Sequence, residues 1–315
     1  MIKPIALFSS DWHLCDKKPI ARSEEPDWLE AQMRVVRQVV NFANKFCVPL
    51  VIAGDIWDVA NKNSPVLMNL LHKELSCIKE SVYACSGNHD QQLHNLNLKM
   101  ETSYQTGALT KCYADMDNRR EVLDKSPVYF IPFYKELDKF LDIAKSKEAQ
   151  EAVIIVLHRL VYETPPYSGA EKEGSAEFIC NLFPHAEVIF CGDNHNGFCY
   201  KSKTGQLLIN CGALIRHNAD MVNYQPSVYL LGCDYQEASK FSYRKLDLDI
   251  SLDKISDKHL AKTKDAAERN ELFIRTVQEV QDISLSFDDV LKKLVKGKLC
   301  EQYVLNKLEE LNNGK

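Results

Sequence analysis

Short apolar runs alternate with amphipathic segments along the first half of the chain. Apolar positions recur at helical spacing after Asp27 and Glu30, which have the spacing of a capping box, and after Ser64 and Pro65, which are typical of a helix start. The strand-like apolar runs of this half are residues 5–9, 50–53 and 82–85. The order strand, helix, strand predicts parallel strands joined by right-handed crossovers.

The second half has a different pattern. Two strand-like runs, residues 128–131 and 153–157, lie on either side of a helix predicted around Lys135 to Lys147, and residues 188–191 form a further run. Short strands joined by turns then follow up to Leu246, and the Lys203-Thr204-Gly205-Gln206 segment is typical of a hairpin. We therefore expect the first half to build one layer of a βαβ fold and the second half to build an antiparallel layer.

The last part of the chain, from about Asp247, has helical periodicity and a helix start at Ser286. It contains none of the candidate metal ligands described below. The sequence thus predicts two regions, a domain of the α/β class over residues 1–247 and a small C-terminal helical segment over residues 248–315. We expect the helical segment to cap the domain or to bind a partner.

Composition places the chain among ordinary globular proteins. The 315 residues are 45% hydrophobic and 26% charged, and the formal net charge of -5 gives no global sign of nucleic-acid binding. From the sequence we expect neither a signal peptide nor a membrane-spanning run. The 11 cysteines include no Cys-x-x-Cys pair, which argues against a zinc ribbon or a redox motif. These features predict a reduced, cytoplasmic protein.

Residues that bind metals follow the ends of five strand-like runs. A single aspartate in such a position often only caps the next helix, but five coinciding ends favour a shared site. The simplest arrangement is a two-metal site in which Asp55 bridges the ions. The five segments are Asp11-Trp12-His13, Gly54-Asp55, Gly87-Asn88-His89-Asp90, His158-Arg159 and Asp193-Asn194-His195.

The types of ligand restrict the metal. Oxygen and nitrogen donors without thiolates suit manganese, iron or zinc better than copper(I) or an iron–sulfur cluster. Two such ions roughly 3.5–4 Å apart can generate hydroxide at neutral pH and clamp the oxygens of an in-line phosphoryl displacement. The ligand set therefore favours hydrolysis of a phosphate ester.

In their order and content, these segments resemble the motifs of the calcineurin-like metallophosphoesterases. That family's pattern is Asp-x-His, Gly-Asp-x-x-Asp, Gly-Asn-His-Asp, a lone His and Gly-His-x-His, and the resemblance extends over about residues 5–246. The segments Ser10 to Leu14 and Asn210 to Arg216 also resemble SbcD-type DNA repair nucleases. The compact set with Gly-Asp-Asn-His resembles phage-borne relatives of these enzymes.

The resemblance implies a four-layer α/β/β/α sandwich and a ligand set for two divalent ions, most consistent with Mn²⁺. It implies that a hydroxide bridging the metals attacks phosphorus. One position departs from the family, because Asp193 stands where the pattern has His, and a carboxylate there should favour Mn²⁺ over Zn²⁺. The first ion would be held by Asp11, His13, Asp55 and His195, and the second by Asp55, Asn88, His158 and Asp193.

Six further residues are expected near the metals. By resemblance His89 contacts the phosphate or the leaving oxygen, and Asp90 fixes its tautomer and raises its basicity. Arg216, His217 and Arg159 are expected to bind substrate, with a solvated surface role as the alternative for all three. Asp58 is more typical of a helix cap or of a group that supports a ligand.

The resemblance favours a metal-dependent DNA exonuclease or endonuclease of the SbcD type. Phosphoproteins and small nucleotides are the alternative substrates, and a metal-free scaffold on the same fold is a less favoured alternative. Expected partners are DNA as the substrate, an ABC-type ATPase similar to SbcC, and a second copy of the chain, with no membrane partner. Strandedness, polarity and the physiological metal are left open by the sequence.

Overall fold

The computed structural model describes residues 2–165, 172–234 and 241–256. In these ranges the two predicted helix starts are confirmed. The Asp27 carboxylate accepts a hydrogen bond from the Glu30 backbone amide (3.0 Å), and the Ser64 hydroxyl accepts one from the amide of Leu67 (3.1 Å). The α-helices are α1 (Trp28–Phe46), α2 (Pro65–Leu75), α3 (Ser103–Leu109), α4 (Leu137–Ala144), α5 (Lys147–Gln150) and α6 (Ala176–Leu182).

The first sheet combines parallel and antiparallel strands. Its parallel part follows the predicted crossovers, with α1 between the first two strands and α2 between the second and third. Two strands from the end of the described chain complete it in antiparallel orientation. Its strands, in spatial order, are β12 (Phe241–Asp247), β11 (Ser227–Cys233), β1 (Lys3–Ser9), β2 (Leu50–Ala53), β3 (Val82–Cys85) and β4 (Ala114–Asp115).

The second sheet has a parallel centre with an antiparallel strand at each edge. The predicted hairpin is confirmed, because β9 and β10 pair across a turn in which the Ser202 amide donates to the Gln206 carbonyl (3.0 Å). Its strands, in spatial order, are β5 (Arg120–Leu123), β6 (Ser126–Ile131), β7 (Ile154–His158), β8 (Val188–Gly192), β10 (Leu207–Asn210) and β9 (Phe198–Lys201).

The predicted division into a parallel first half and an antiparallel second half is wrong. The second half contributes the parallel strands β7, β8 and β10 to one sheet and the antiparallel strands β11 and β12 to the other. Strands buried on both faces read as continuous apolar runs in either orientation. The sequence pattern therefore could not show which sheet each late strand joins.

Apolar side chains fill three layers of core between four layers of backbone. In β2, Val51 and Ala53 face the second sheet, whereas Leu50 and Ile52 face the helices α1 and α2. Across the middle, the rings of Phe8 and Phe190 are stacked with centroids 3.6 Å apart. A third cluster joins the second sheet to α4, α5 and α6. The expected four-layer α/β/β/α sandwich is confirmed.

The predicted helical segment over residues 248–315 lies, from residue 257 onward, outside the described residues and stays a prediction. Residues 248–256 are described, and among them Leu248 is buried against the first sheet and its helices. Within the described ranges, no helix combines the length and the apolar character needed to cross a bilayer.

Candidate metal centre

The ends of strands from both sheets meet at one place. Asp11 and His13 follow β1, Asp55 follows β2, and His158 is the last residue of β7. Contacts cross between the sheets here, since the His158 Nδ1 atom lies 2.7 Å from the Ala53 carbonyl oxygen and the Asp193 amide donates to the Asp11 Oδ1 atom (3.0 Å). The carboxyl ends of parallel strands are where open α/β sheets place their ligands.

The backbone at these strand ends is strained. Asp11, His13, Asp55 and Asp193 have φ angles of 51°, 47°, 52° and 81°, in the left-handed region that L-residues with side chains seldom adopt. Such conformations cost about 1–3 kcal/mol each and cluster at functional sites. The amides of Trp12 and His13 both donate to the Asp55 carbonyl, at 2.8 and 3.0 Å, which ties the first two loops together.

Two glycines allow the ligands to approach closely. Gly54 has a φ angle of +84°, and a Cβ atom there would collide with the imidazole ring of His158. A Cβ atom on Gly87 would collide with the carboxylate of Asp55. The Gly-Asp and Gly-Asn pairs of the sequence thus have a steric reason, because any side chain at these positions would push ligands out of the centre.

One group of ligands contains Asp11, His13 and His195. The Nε2 atoms of the two histidines are 3.0 Å apart, and each lies 3.9 Å from the Asp11 Oδ1 atom. The Asp55 Oδ2 atom is 3.6 Å from the His13 Nε2 atom. Two ligands at right angles, each about 2.1 Å from one ion, are roughly 3 Å apart, so these atoms fit a shared cation.

The second group contains Asp55, Asn88 and His158. The His158 Nε2 atom lies 2.9 Å from the Asn88 Oδ1 atom and 3.3 Å from the Asp55 Oδ2 atom. Its Nδ1–H donates to the Ala53 carbonyl, which directs Nε2 toward the two oxygens. Asp55 takes part in both groups, as expected for a bridging ligand. The donors of this chain therefore fit a dinuclear metal centre.

We refer to these residues as the metal-ligand cluster: Asp11, His13, Asp55, Asn88, His158 and His195. Burial and neighbouring charges shift the pKa values of these residues. Burial raises the pKa of Asp11 to about 7. Burial opposes charge on His158 as well, but the Asp55 carboxylate raises the pKa of that imidazole well above its ordinary value. In the metal-free protein a proton occupies a position suited to a cation, and metal binding would release it.

The carboxylate of Asp193 is not among the mutually close ligand atoms of the metal-ligand cluster. Its backbone amide binds Asp11, and burial raises the pKa of its half-buried carboxyl. Among the described residues, the groups of three or more mutually close acidic, histidine or cysteine ligands do not include it. A ligand role for Asp193 stays a prediction.

His89 lies beside the cluster with an orientation that differs from the one expected. Its backbone amide donates to the Asp55 Oδ1 atom (2.8 Å), and its Nδ1–H donates to the Asp58 carbonyl (2.7 Å). The expectation that Asp90 fixes the His89 tautomer is wrong, because the Asp90 carboxylate accepts from the amides of Ile56, Trp57 and Gly87. Although burial opposes it, the Asp55 charge raises the pKa of His89, and Asp90 adds to that effect.

Asp58 is closer to the metal-ligand cluster than the sequence indicated. It caps no helix, since Ser64 caps α2, and its Oδ1 atom is 3.7 Å from the His13 Nδ1 atom. That Nδ1 atom is buried without a hydrogen-bond partner. Asp58 is therefore suited to orient His13 while its backbone orients His89. Asp58 is the second Asp of the Gly-Asp-x-x-Asp motif, and this motif was the feature of the sequence that pointed to a role near the metals.

A pocket of about 420 Å³ opens beside these histidines, and we refer to it as the site pocket. A larger cavity, about 520 Å³, lies around the β9–β10 hairpin and contains none of the candidate ligands, so it is not the reaction site. The site pocket is lined at one end by His13, His89 and His195, and elsewhere by Cys15, Lys17, Lys18, Pro19, Ile20, Asp58, Ala213, Ile215, His217, Asn218 and Met221.

The expectation that Arg216 binds substrate is wrong. Its Nε and Nη2 atoms both donate to the Asp253 Oδ2 atom, at 3.3 and 3.0 Å, and its Nη1 atom donates to the Val222 carbonyl (3.0 Å). Only 5% of the side chain is exposed. The sequence showed an arginine in a loop near the site, but it could not show that an acidic residue beyond the last strand binds it.

His217 and Arg159 have different surroundings. His217 lines the site pocket, and burial lowers its pKa to about 4, so it is a neutral imidazole there. The guanidinium carbon of Arg159 lies 4.6 Å from the centroid of the Phe140 ring, and Arg159 is not among the residues that line the pocket. The geometry thus leaves His217 as a candidate for substrate contact and gives Arg159 an aromatic neighbour in α4.

Comparison with known proteins agrees with the geometry. The model of the calcineurin-like phosphoesterase family matches residues 6–197, which contain every residue of the metal-ligand cluster. A comparison with curated proteins gives no match.

Several solved structures are similar in fold. A dimetal phosphatase from Danio rerio is 10% identical with a TM-score of 0.49, over 79% of this chain and 100% of its own. A 5′-nucleotidase precursor from Thermus thermophilus is 13% identical with a TM-score of 0.45, over 85% and 59%. Vps29 of Entamoeba histolytica, solved with Zn²⁺, is 10% identical with a TM-score of 0.34, over 78% and 99%. At these values the likenesses carry no information about substrate.

Proposed function

Because the chain belongs to the calcineurin-like phosphoesterase family, we propose that it is a dinuclear metal-dependent phosphodiesterase that cleaves DNA. The observation that carries the hydrolytic part is the position of Asp55 between two groups of nitrogen and oxygen ligands. The preference for DNA rests on the SbcD-type sequence segments and on the composition of the site pocket.

Seven residues would hold the ions. Asp11, His13, Asp55 and His195 would hold the first, and Asp55, Asn88, His158 and Asp193 the second. Two divalent cations there would supply Lewis acidity at the phosphoryl oxygens and lower the pKa of a bound water. The carboxylate-rich set favours Mn²⁺ among the metals that such ligands accept.

His89 is the proposed proton donor. Its Nδ1–H is committed to the Asp58 carbonyl, so the Nε2 atom is the position where a proton can be held for the reaction. Although burial opposes it, the Asp55 charge raises the pKa of His89, which favours the protonated imidazolium more than in a free histidine. A proton held there can pass to the leaving oxygen as the ester bond breaks, and the imidazolium stabilises negative charge on the phosphate.

The site pocket is suited to the organic part of a nucleotide. Pro19, Ile20 and Met221 provide apolar surface for a base, and Lys17 and Lys18 add positive charge for a neighbouring phosphate. Its volume, about 420 Å³, is in the range that binds small ligands. A small nucleotide would therefore fit as well as a DNA end, which makes a nucleotide phosphatase the second candidate.

A metal-by-substrate screen tests the proposal. Wild-type protein with Mn²⁺, Mg²⁺ or Zn²⁺ is given bis(p-nitrophenyl) phosphate, p-nitrophenyl phosphate, and single- and double-stranded DNA. We expect hydrolysis of the diester and of DNA, fastest with Mn²⁺. Hydrolysis of the monoester alone would favour the phosphatase, and a folded protein that binds no metal would favour a scaffold.

The proposed macromolecular partners concern residues 248–315. We propose that this segment binds an ABC-type ATPase or a second copy of the chain. Light scattering of the full chain, alone and with a purified ATPase of the SbcC type, tests both, and a monomer that forms no complex would contradict them.

A further inference from the structure

A second group of buried charged side chains lies outside the metal-ligand cluster, and we refer to it as the ion cluster: Arg22, Glu25, Arg34, Arg216 and Asp253. Arg22 is 1% exposed and Asp253 is 3% exposed. The Asp253 Oδ2 atom accepts from the Arg22 Nη1 atom (3.0 Å) and from the Arg216 Nη2 atom (3.0 Å). Neither Asp253 nor Glu25 contributes to the metal-ligand cluster.

The carboxylates of the ion cluster are fully engaged. The Asp253 Oδ1 atom accepts from Arg34 (3.2 Å), and the two Glu25 oxygens accept from Arg34 (3.5 Å) and Arg22 (3.0 Å). Charges buried in this way are tolerated only when they are paired, and removal of one partner leaves the others uncompensated. The arrangement is therefore rigid and depends on Asp253.

The ion cluster joins two segments that line the site pocket. Arg22 ends the short helix Ile20–Arg22, and Pro19 and Ile20 line the pocket. Arg216 stands between two other lining residues, Ile215 and His217. The Arg22 Nη1 atom also donates to the Arg216 carbonyl (3.3 Å), so the two segments are bound both directly and through Asp253.

We propose that Asp253 is a positioning residue which, through Arg22 and Arg216, holds both pocket-lining segments in place to receive the nucleoside part of the substrate. This rests on the proposed function for the identity of the ligand. Asp253 lies after β12 and outside residues 6–197, the part that the family model matches. The shape of the site pocket is thus set by a residue that carries no catalytic motif.

Calorimetry on the full Mn²⁺-loaded chain tests this without hydrolysis. The probes are the methylenephosphonate analogue of thymidine 5′-monophosphate, which has a nucleoside part and a P–C bond that is not hydrolysed, and inorganic phosphate, which has no nucleoside part. Asp253→Asn should raise the Kd for the nucleotide roughly 10- to 100-fold, as expected when pocket residues shift by about 1 Å, and should change the Kd for phosphate much less. Asp253→Glu, which keeps the charge, should restore part of the nucleotide affinity.

Two further variants separate positioning from general stability. Glu74→Gln removes an ion pair with Arg37 between α1 and α2, away from the pocket, and should leave both affinities unchanged. Arg34→Gln removes the most exposed member of the ion cluster, which makes it the variant to use if Asp253→Asn does not fold, and should weaken nucleotide binding in the same direction.

Equal changes for both probes in the Asp253 and Arg34 variants, or no change in either, would overturn the inference. Failure of the proposed function has a different signature. In that case wild-type protein shows no hydrolysis in the metal screen, while the two calorimetric affinities still report on the role of Asp253.

Discussion

Two groups of buried charged residues in this protein differ in how their charges are balanced. In the ion cluster, the carboxylate oxygens of Glu25 and Asp253 accept hydrogen bonds from arginines. In the metal-ligand cluster, lone-pair atoms face one another, as the Nε2 atoms of His13 and His195 do at 3.0 Å. The carboxylates of the first group are fully paired, although the Arg22 Nε atom is buried without a hydrogen-bond partner, whereas the donor atoms of the second group are suited to cations.

One carboxyl in each group shows the contrast, because the pKa shifts of Asp11 and Asp253 have opposite signs. Burial raises the pKa of Asp11 in the metal-ligand cluster to about 7. Burial also opposes charge on Asp253, but the hydrogen bonds and charges of Arg22 and Arg216 lower the pKa of its carboxyl. Full pairing of a buried carboxylate with arginines indicates structure, while unpaired ligands on a strained backbone indicate function.

The largest expected effect is on activity, from Asp55→Ala. Because Asp55 is shared by both groups of ligands, its loss should weaken both ions and reduce hydrolysis to background. Metal content and turnover of bis(p-nitrophenyl) phosphate measure this, with thermal unfolding to show that the variant is folded. Undiminished turnover in this variant, or in wild-type protein with EDTA, would contradict the two-metal interpretation.

The next effect concerns His89, which lies beside the ligands but is not proposed as one of them. His89→Gln should keep both ions and lower kcat about 10²–10⁴-fold, the usual contribution of general acid–base catalysis. Metal titration and steady-state kinetics are compared with His94→Gln, a control on a neighbouring exposed histidine. Loss of an ion in His89→Gln would place His89 among the ligands.

Loss of a member of the ion cluster should lower the stability of the fold. Asp253→Ala leaves Arg22 and Arg216 buried without their shared partner, so it should lower the free energy of unfolding by about 3–5 kcal/mol. Urea unfolding in EDTA measures this without a contribution from bound metal. Glu74→Ala, which removes a more exposed partner, is the control and should cost less. Equal losses of unfolding free energy in the two variants would show that the ion cluster contributes no more to stability than a more exposed ion pair.

Substitutions of Asp193 test whether its carboxylate belongs to the metal-ligand cluster. If its carboxylate binds the second ion, Asp193→His should shift preference from Mn²⁺ toward Zn²⁺, and Asp193→Asn should weaken the ion about 10- to 100-fold, the range seen when groups around a metal are altered. Competitive metal titrations of the two variants provide the measurement. Wild-type affinities in both would show that the Asp193 side chain is not a ligand.

The smallest expected effect is on acid stability. A carboxyl whose folded-state pKa is lowered stabilises the fold above its unfolded pKa of about 4, and this contribution is lost as pH falls through the folded pKa. Since Asp253 is such a group, the stability difference between wild type and Asp253→Asn should shrink as pH falls below about 4. Urea unfolding in EDTA at several pH values tests it, and a constant difference would assign the stability to packing.

Local sequence was sufficient for the helix starts and the hairpin, and it indicated candidate metal ligands that the fold brings together. Asp27 and Ser64 each bind the amide three residues further on, and the hairpin turn closes within five residues, so the local sequence contains the necessary information. The ligands follow strand ends, and parallel strands bring those ends to one edge whatever the details of the sheet. For the same reason the meeting of these strand ends could be predicted with no knowledge of strand order, while their role as metal ligands stays a prediction.

Only the tertiary structure decided the roles of Arg216, Asp90 and Asp253 and the sheet that each late strand joins. Asp253 binds Arg22 across 231 positions of the chain, and Asp90 binds the amides of Ile56 and Trp57 across 34 and 33. An arginine near a phosphate site and an arginine buried against a distant aspartate have the same local sequence. Their roles differ because pairing depends on distance in space, which is fixed only when both sheets have packed.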